Sequence, residues 1–198
     1  MDVSYNKLEK VNDGWTGHGS IKILKSVENK FKNLAVFKNM PKLEELYLAR
    51  NKISSLSGYD GLPALKKLHL RRNNIEKIDD ELAELPALEY LNLRSNGIPN
   101  MEVMLKLFQY TSLKDLNVIN CPVELNFSSM NIFIADLLIK FPKTTRFCKV
   151  AITDQHRVEA VHLCDFKWRK SEEARIEEER KKAEEEAKAA AEEAGEGG

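Results

Sequence analysis

Arg50, Arg71, Arg72 and Arg94 recur along the chain with the same rhythm as Tyr47, His69, Lys67 and Tyr90. Tyr47 and His69 are 22 residues apart, as are Arg50 and Arg72; Lys67 and Tyr90, like Arg71 and Arg94, are 23 apart. Residues of these types at a constant interval are suited to one kind of chemistry. Guanidinium and ammonium groups hold carboxylates and phosphates through charge-assisted hydrogen bonds, and Tyr and Arg are enriched where protein surfaces grip one another. Covalent chemistry has no comparable support. There is no Gly-rich phosphate loop, no His-Glu-x-x-His and no Gly-x-Ser-x-Gly. His156, His162 and Cys164 are close in sequence, but their spacing fits no standard zinc pattern, and His18 has no evident partner. The expectation is a protein with no catalytic residue, no metal site and no cofactor.

An internal repeat is what would put these residues on a common face. "LEELYLARNKI" starts at Leu43, "LKKLHLRRNNI" at Leu65 and "LEYLNLRSNGI" at Leu88. Two looser copies flank them, "IKILKSVENKF" from Ile21 and "LKDLNVINCPV" from Leu113, the latter with Cys121 at the Asn position. The opening "MDVSYNKL" supplies the second half of one further copy, with Val3, Asn6 and Leu8. This is the pattern of a leucine-rich repeat. Each unit makes a short strand, turns at the Asn and returns. The leucines pack between neighbouring units, because one unit cannot bury its own apolar face. The Asn amide can bond backbone groups of the adjacent coil that would otherwise be buried without partners. Cys121 reads as a core residue in that slot.

The predicted fold class is α/β: a right-handed leucine-rich-repeat solenoid with a parallel concave sheet, a C-terminal helical cap and a helical tail. The predicted divisions are repeats over 1–126, the first of them partial, a cap over 127–166 and a charged tail over 167–198. In "NFSSMNIFIADLLIKFP", Met130, Phe133, Ile134, Leu137, Leu138 and Phe141 recur at helical spacing. Ser128 or Ser129 would cap that helix and Pro142 would stop it. "TTRFCKV" should run beside the cap, and "DQHRVEAVHLC" should form another short helix. The tail is rich in Glu, Lys, Arg and Ala, strong helix formers, with Glu178→Lys182 and Glu184→Lys188 at supportive spacing. It reads as a solvated helix, or as one lying along a neighbour in an assembly.

The N-terminal edge looks open. No amphipathic helix precedes the partial copy, and "NDGWTGHGS" makes the first return segment Gly-rich. Either earlier repeats belong ahead of Met1 or a partner covers the edge. In both cases that edge should self-associate or be unstable when bare.

On the predicted concave face, alternate strand residues point outward. Tyr47, Arg50, Lys67, His69, Arg71, Arg72, Tyr90 and Arg94 are therefore the candidate partner-binding residues, facing an acidic segment or helix. The alternative is a solvated, mildly basic sheet. The whole chain has 31 basic and 31 acidic residues; the tail is net −3 and the remainder net +3. Neither value has the strong basic bias of a nucleic-acid-binding domain. No apolar run is long enough for a membrane helix. Three widely spaced cysteines without a Cys-x-x-Cys pair suit reduced thiols in a cytosolic compartment.

The repeats "LYLARN", "LHLRRN" and "LNLRSN", then "KFPKTTRFCK" and the Glu/Lys-rich tail, resemble the ciliary leucine-rich repeat-containing protein 23 family across roughly residues 41–185. That resemblance implies a structural subunit at the head of the third radial spoke of motile cilia, with other axonemal or radial spoke proteins as partners. It places the protein in the cytoplasm, on the axonemal cytoskeleton. The same short repeat class includes phosphatase-regulatory adaptors, an outer-arm dynein light chain and a spliceosomal ribonucleoprotein subunit, which are the alternatives.

Overall fold

A three-residue strand forms wherever the repeat places its central leucine. In the computed structural model these strands are β1 (Ile23–Lys25), β2 (Glu45–Tyr47), β3 (Lys67–His69), β4 (Tyr90–Asn92) and β5 (Asp115–Asn117), all parallel. The structure describes every residue except Asp13, Glu81, Ala83 and 196–198, with side chains described only as far as Lys182. Register is strict. Leu24, Leu46, Leu68, Leu91 and Leu116 stand opposite one another, all buried. Leu48, Leu70, Leu93 and Val118 form a second buried column, and Phe31, Ile53, Ile75, Ile98 and Val123 a third.

The Asn positions lock the coils together. Asn73 donates through Nδ2 to Leu48 O at 3.0 Å and Leu70 O at 2.9 Å, and its Oδ1 accepts from Ile53 N at 3.0 Å. Asn51 and Asn96 repeat the arrangement one coil before and one coil after. Cys121 fills the last slot with Sγ 3.3 Å from Leu93 O, so the thiol keeps one of the amide's bonds. The residue before each Asn position turns the chain through a left-handed conformation: φ is 53° at Glu28, 57° at Arg50, 55° at Arg72, 57° at Ser95 and 60° at Asn120.

The opening fragment joins this scheme. Val3 N bonds Lys25 O at 2.8 Å and Tyr5 N bonds Val27 O at 2.8 Å, while Asn29 reaches back to Val3 O. The first return segment is pinned, contrary to the loose loop its glycines predict. Trp15 Nε1 donates to Val36 O at 2.8 Å, and Asn39 Nδ2 donates to Thr16 O at 3.0 Å. Gly17 has φ 108°, and a Cβ there would lie 2.4 Å from Lys38 O, so the glycine permits close approach of two backbones.

Among the described residues the return segments between β1 and β4 are extended or turn-like; the coil before β5 contains α1 (Met101–Leu105) and a short 3-10 turn (Lys106–Gln109), and a second 3-10 turn (Pro122–Asn126) follows β5. On the return side, Tyr59 and Tyr110 are both buried and their hydroxyls bond one another. Burial pushes the Tyr110 hydroxyl up to about 12 and Tyr59 higher still. Removing either hydroxyl strands the other in the core. Tyr59→Phe and Tyr110→Phe should each cost about 1–2 kcal/mol, and the double variant little more than either alone. A double-mutant cycle by urea denaturation checks this, and strictly additive losses would mean the bond contributes nothing.

The cap helix is α2 (Met130–Lys140), with Ser129 Oγ accepting from Ile132 N at 3.3 Å. Phe133, Ile134, Leu137, Leu138 and Phe141 are buried as predicted, but Met130 is 37% exposed, as the helix's first turn through Ile132 is exposed. "TTRFCKV" extends the sheet. β6 (Arg146–Phe147) pairs parallel to β5, and β7 (Val150–Ala151) folds back antiparallel through Cys148 and Lys149. Those two turn residues have φ 49° and 72°, the two-residue turn that matches strand twist. Phe147 continues the buried leucine column.

The predicted short helix after Thr153 proves to be the start of a single helix, α3 (Asp154–Gly195). Thr153 and His156 cap it reciprocally: Thr153 N donates to His156 Nδ1 at 3.0 Å, and His156 N to Thr153 Oγ1 at 3.4 Å. α3 docks on α2 through buried Ala160 and a bond from Lys167 to the buried Asp136. Beyond that contact its described side chains are almost all exposed, with Lys182 paired to Glu178 at 2.9 Å. The Glu184→Lys188 pair lies outside the described residues. No helix among the described residues is long and apolar enough to cross a membrane.

Candidate functional site

Alternation within each strand turns its flanking residues outward while the central one is buried. One outward row is Ile23, Glu45, Lys67, Tyr90, Asp115 and Arg146; the next is Lys25, Tyr47, His69, Asn92 and Asn117. Tyr47, Lys67, His69 and Tyr90 thus share the concave sheet face.

The aromatic members stack. The Tyr47 and His69 rings are 4.4 Å apart with planes 18° from parallel, and the Tyr90 ring lies 4.7 Å beyond His69. Such contacts contribute about 0.5–1.5 kcal/mol each beyond area burial. Tyr47 OH donates to Glu45 Oε2 at 2.6 Å, which, with burial, holds the hydroxyl up at about 12.

His69 sits between two rings, and burial pushes its pKa down to about 4, with Lys67 assisting and Glu45 opposing. The folded state therefore holds this imidazole neutral, whereas the unfolded chain protonates it near 6.5. Its contribution to stability is present above about pH 6.5 and is lost as the pH falls towards 4. Allowing for partial exposure, the loss is about 2 kcal/mol. Denaturation midpoints at pH 7 and pH 4 should show His69→Gln with a shallower pH dependence than the parent by about that amount. Equal dependences would mean that His69 carries no such linkage.

The basic residues divide into two sets. Arg50 is bonded to Glu28, and Lys67 bonds Glu45 at 2.8 Å. On an adjoining row Lys66 bonds Glu44 at 2.9 Å and Lys114 bonds Glu89 at 2.7 Å. These cations are already matched by a carboxylate of the neighbouring coil. Arg71 and Arg94 are different. Both bury Nε, and neither Nε meets an acceptor among the described residues. Burial lowers the Arg71 pKa, and the charges of Arg94, Arg72 and Arg50 lower it further. Arg72 is exposed at the edge of the same face.

Two residues absent from the predicted site belong to it. Arg146 and Lys149, carried by the β6–β7 hairpin, line a cleft of about 160 Å³ together with Arg71, Arg94, Tyr90 and Asp115. Asp115 lies 3.8 Å from Arg146, and burial raises its carboxyl pKa against that neighbour's pull. The basic centre of the concave face therefore sits at β3–β6, displaced towards the cap from the central repeats. The one sequence signal for this was "TTRFCKV", whose alternation suits a strand but whose place in the sheet depends on how the cap folds. The other clefts carry less chemistry. One of about 130 Å³ beside Phe108, Leu113 and Phe141 is apolar, with Lys143 its sole charged neighbour. No cluster of His, Cys, Asp or Glu that could hold a metal occurs among the described residues. Cys121 and Cys148 are buried, and burial pushes the Cys148 thiol up to about 12.

The leucine rich repeat family matches residues 59–98. Comparison with curated proteins gives no match. Among solved structures, a chain of the Drosophila melanogaster SNF/U2A' complex is similar, at 21% identity and a TM-score of 0.56 over 74% of this chain and 78% of that one. An internalin from Listeria monocytogenes aligns at 18% identity with a TM-score of 0.28, over 63% of this chain and 46% of that one. The repeat match, the parallel sheet and the first of these likenesses agree on the architecture: the chain has the leucine-rich-repeat fold.

Proposed function

We propose that the protein is a non-enzymatic interaction scaffold that docks an acidic segment or helix of a partner protein on its concave face. The observation that carries this reading is the positive charge gathered in one cleft by Arg71, Arg94, Arg146 and Lys149, of which only Arg146 has a carboxylate partner, Asp115, among the described residues, on a sheet whose other basic residues are largely paired. A rigid parallel sheet loses little freedom on binding, so charge complementarity there translates into affinity and orientation. The resemblance to a chain from a heteromeric complex is in keeping with a protein partner.

The finer reading is a component of the ciliary axoneme, at the third radial spoke head. It rests on the family resemblance of residues 41–185. Cross-linking of intact motile cilia tests both levels. Lys67 and Lys149 should link to spoke proteins, while Lys77 and Lys106 on the return side should not. Absence of the protein from purified axonemes overturns the ciliary placement and leaves the phosphatase-adaptor, dynein-light-chain-like and ribonucleoprotein readings. Recovery of RNA with the protein, falling steeply with salt, would select the last of these.

A further inference from the structure

The cleft at β3–β6 has an imbalance that a generic acidic partner does not resolve. Arg71, Arg94, Arg146 and Lys149 face it, against the single carboxylate of Asp115. The Nε–H groups of Arg71 and Arg94, behind the cleft's surface, have no acceptor among the described residues. Like charges gathered in one cleft repel, so the arrangement is unfavourable until an anion offsets them. A carboxylate brings one charge and two oxygens. A phosphate monoester brings about −1.5 to −2 and three acceptor oxygens, much nearer to the excess of three cations. The cleft of about 160 Å³ has room for a phosphate head. His69 has both ring faces taken, by Tyr47 and by Tyr90, so the aromatic row has little face left on which bases could stack. These features favour a phosphorylated protein over RNA.

We propose that the cleft bounded by Arg71, Arg94, Arg146 and Lys149 is a phosphate-binding site that receives a phosphorylated serine or threonine on the docked partner segment. The proposal rests on the concave-face docking reading and adds a modification requirement to it. Phosphorylation of the partner then switches the complex on by offsetting the excess positive charge of the cleft.

The test uses the full chain and three fluorescein-labelled peptides of one acidic sequence, with threonine, glutamate or phosphothreonine at the centre. Anisotropy should give the phosphothreonine peptide an affinity at least about tenfold above the glutamate peptide. That peptide should also shift the Nε–H NMR signals of Arg71 and Arg94. Arg94→Gln, and separately Lys149→Gln at the exposed hairpin, should remove the preference, while Arg50→Gln, paired elsewhere to Glu28, should keep it. Equal binding of the phosphothreonine and glutamate peptides overturns the phosphate site and leaves acidic docking standing. Failure of all three peptides to bind takes the docking reading down as well. Tighter binding of a single-stranded RNA oligonucleotide, with the same Nε–H shifts, overturns the choice of a phosphorylated protein.

Discussion

Asn73→Ala is expected to lower the stability of the fold by about 3–4 kcal/mol, more than most single truncations on the surface of the molecule. Asn73 makes three bonds where water does not reach. Its loss orphans Ile53 N outright, which is the largest part of the cost. Leu48 O and Leu70 O each lose one of two donors and keep the other, from Asn51 and Asn96 respectively. The ladder is thus shared between coils, and the damage spreads to both neighbours of the third full coil. Asn74, exposed beside it, is the control: Asn74→Ala should change stability by no more than about 0.5 kcal/mol. Urea denaturation followed by circular dichroism measures both. A loss below about 1 kcal/mol for Asn73→Ala would show that the side-chain ladder is incidental to the solenoid. The weaker anchor at the last coil gives an internal comparison. Cys121 donates to Leu93 O through a thiol, a weaker donor than an amide, so Cys121→Ala should cost markedly less than Asn73→Ala.

Charge reversal at the basic centre carries the second large effect. Arg71→Glu with Arg94→Glu should weaken binding of an acidic peptide by more than about a hundredfold, because two attractive contacts become repulsive within one cleft. Arg50→Glu with Lys67→Glu reverses the same number of charges on the same face. Those residues are already neutralised by Glu28 and Glu45, so this pair should weaken the peptide less, although the new carboxylate clusters will cost some stability. Fluorescence anisotropy at two salt concentrations separates the cases, since the parent affinity should fall with added salt and that of the Arg71/Arg94 variant should barely respond. Equal losses from the two double variants would sink the idea that unpaired guanidinium groups, rather than general positive potential, do the binding.

Several elements were legible because they follow from local rules repeated many times. The spacing of Leu46, Leu68 and Leu91 located the strands and their register, since a strand with a buried central leucine can pair with its neighbour in only one alignment. Ser129 and the apolar positions of α2 gave the cap helix through periodicity and a side-chain cap. Met130 was misplaced because periodicity assigns a face of a helix but not how much of its first turn stays exposed. The continuity of α3 was also missed. The residues after Thr153 and the Glu/Lys-rich tail look like separate segments by composition, but nothing between them stops a helix.

What the sequence by itself determined is the coil: strand, turn, Asn ladder, interior columns and the outward placement of Tyr47, His69, Arg71 and Arg94. A repeated local pattern fixes these because each unit meets the same neighbours. Only the tertiary structure decided which positive charges are free. Glu28 and Glu45 lie 22 residues before the cations they neutralise, and Arg146 and Lys149 reach the cleft only because the hairpin after the cap adds to the sheet edge. Charge pairing and cleft shape depend on distances between coils, which composition and spacing along one chain do not encode.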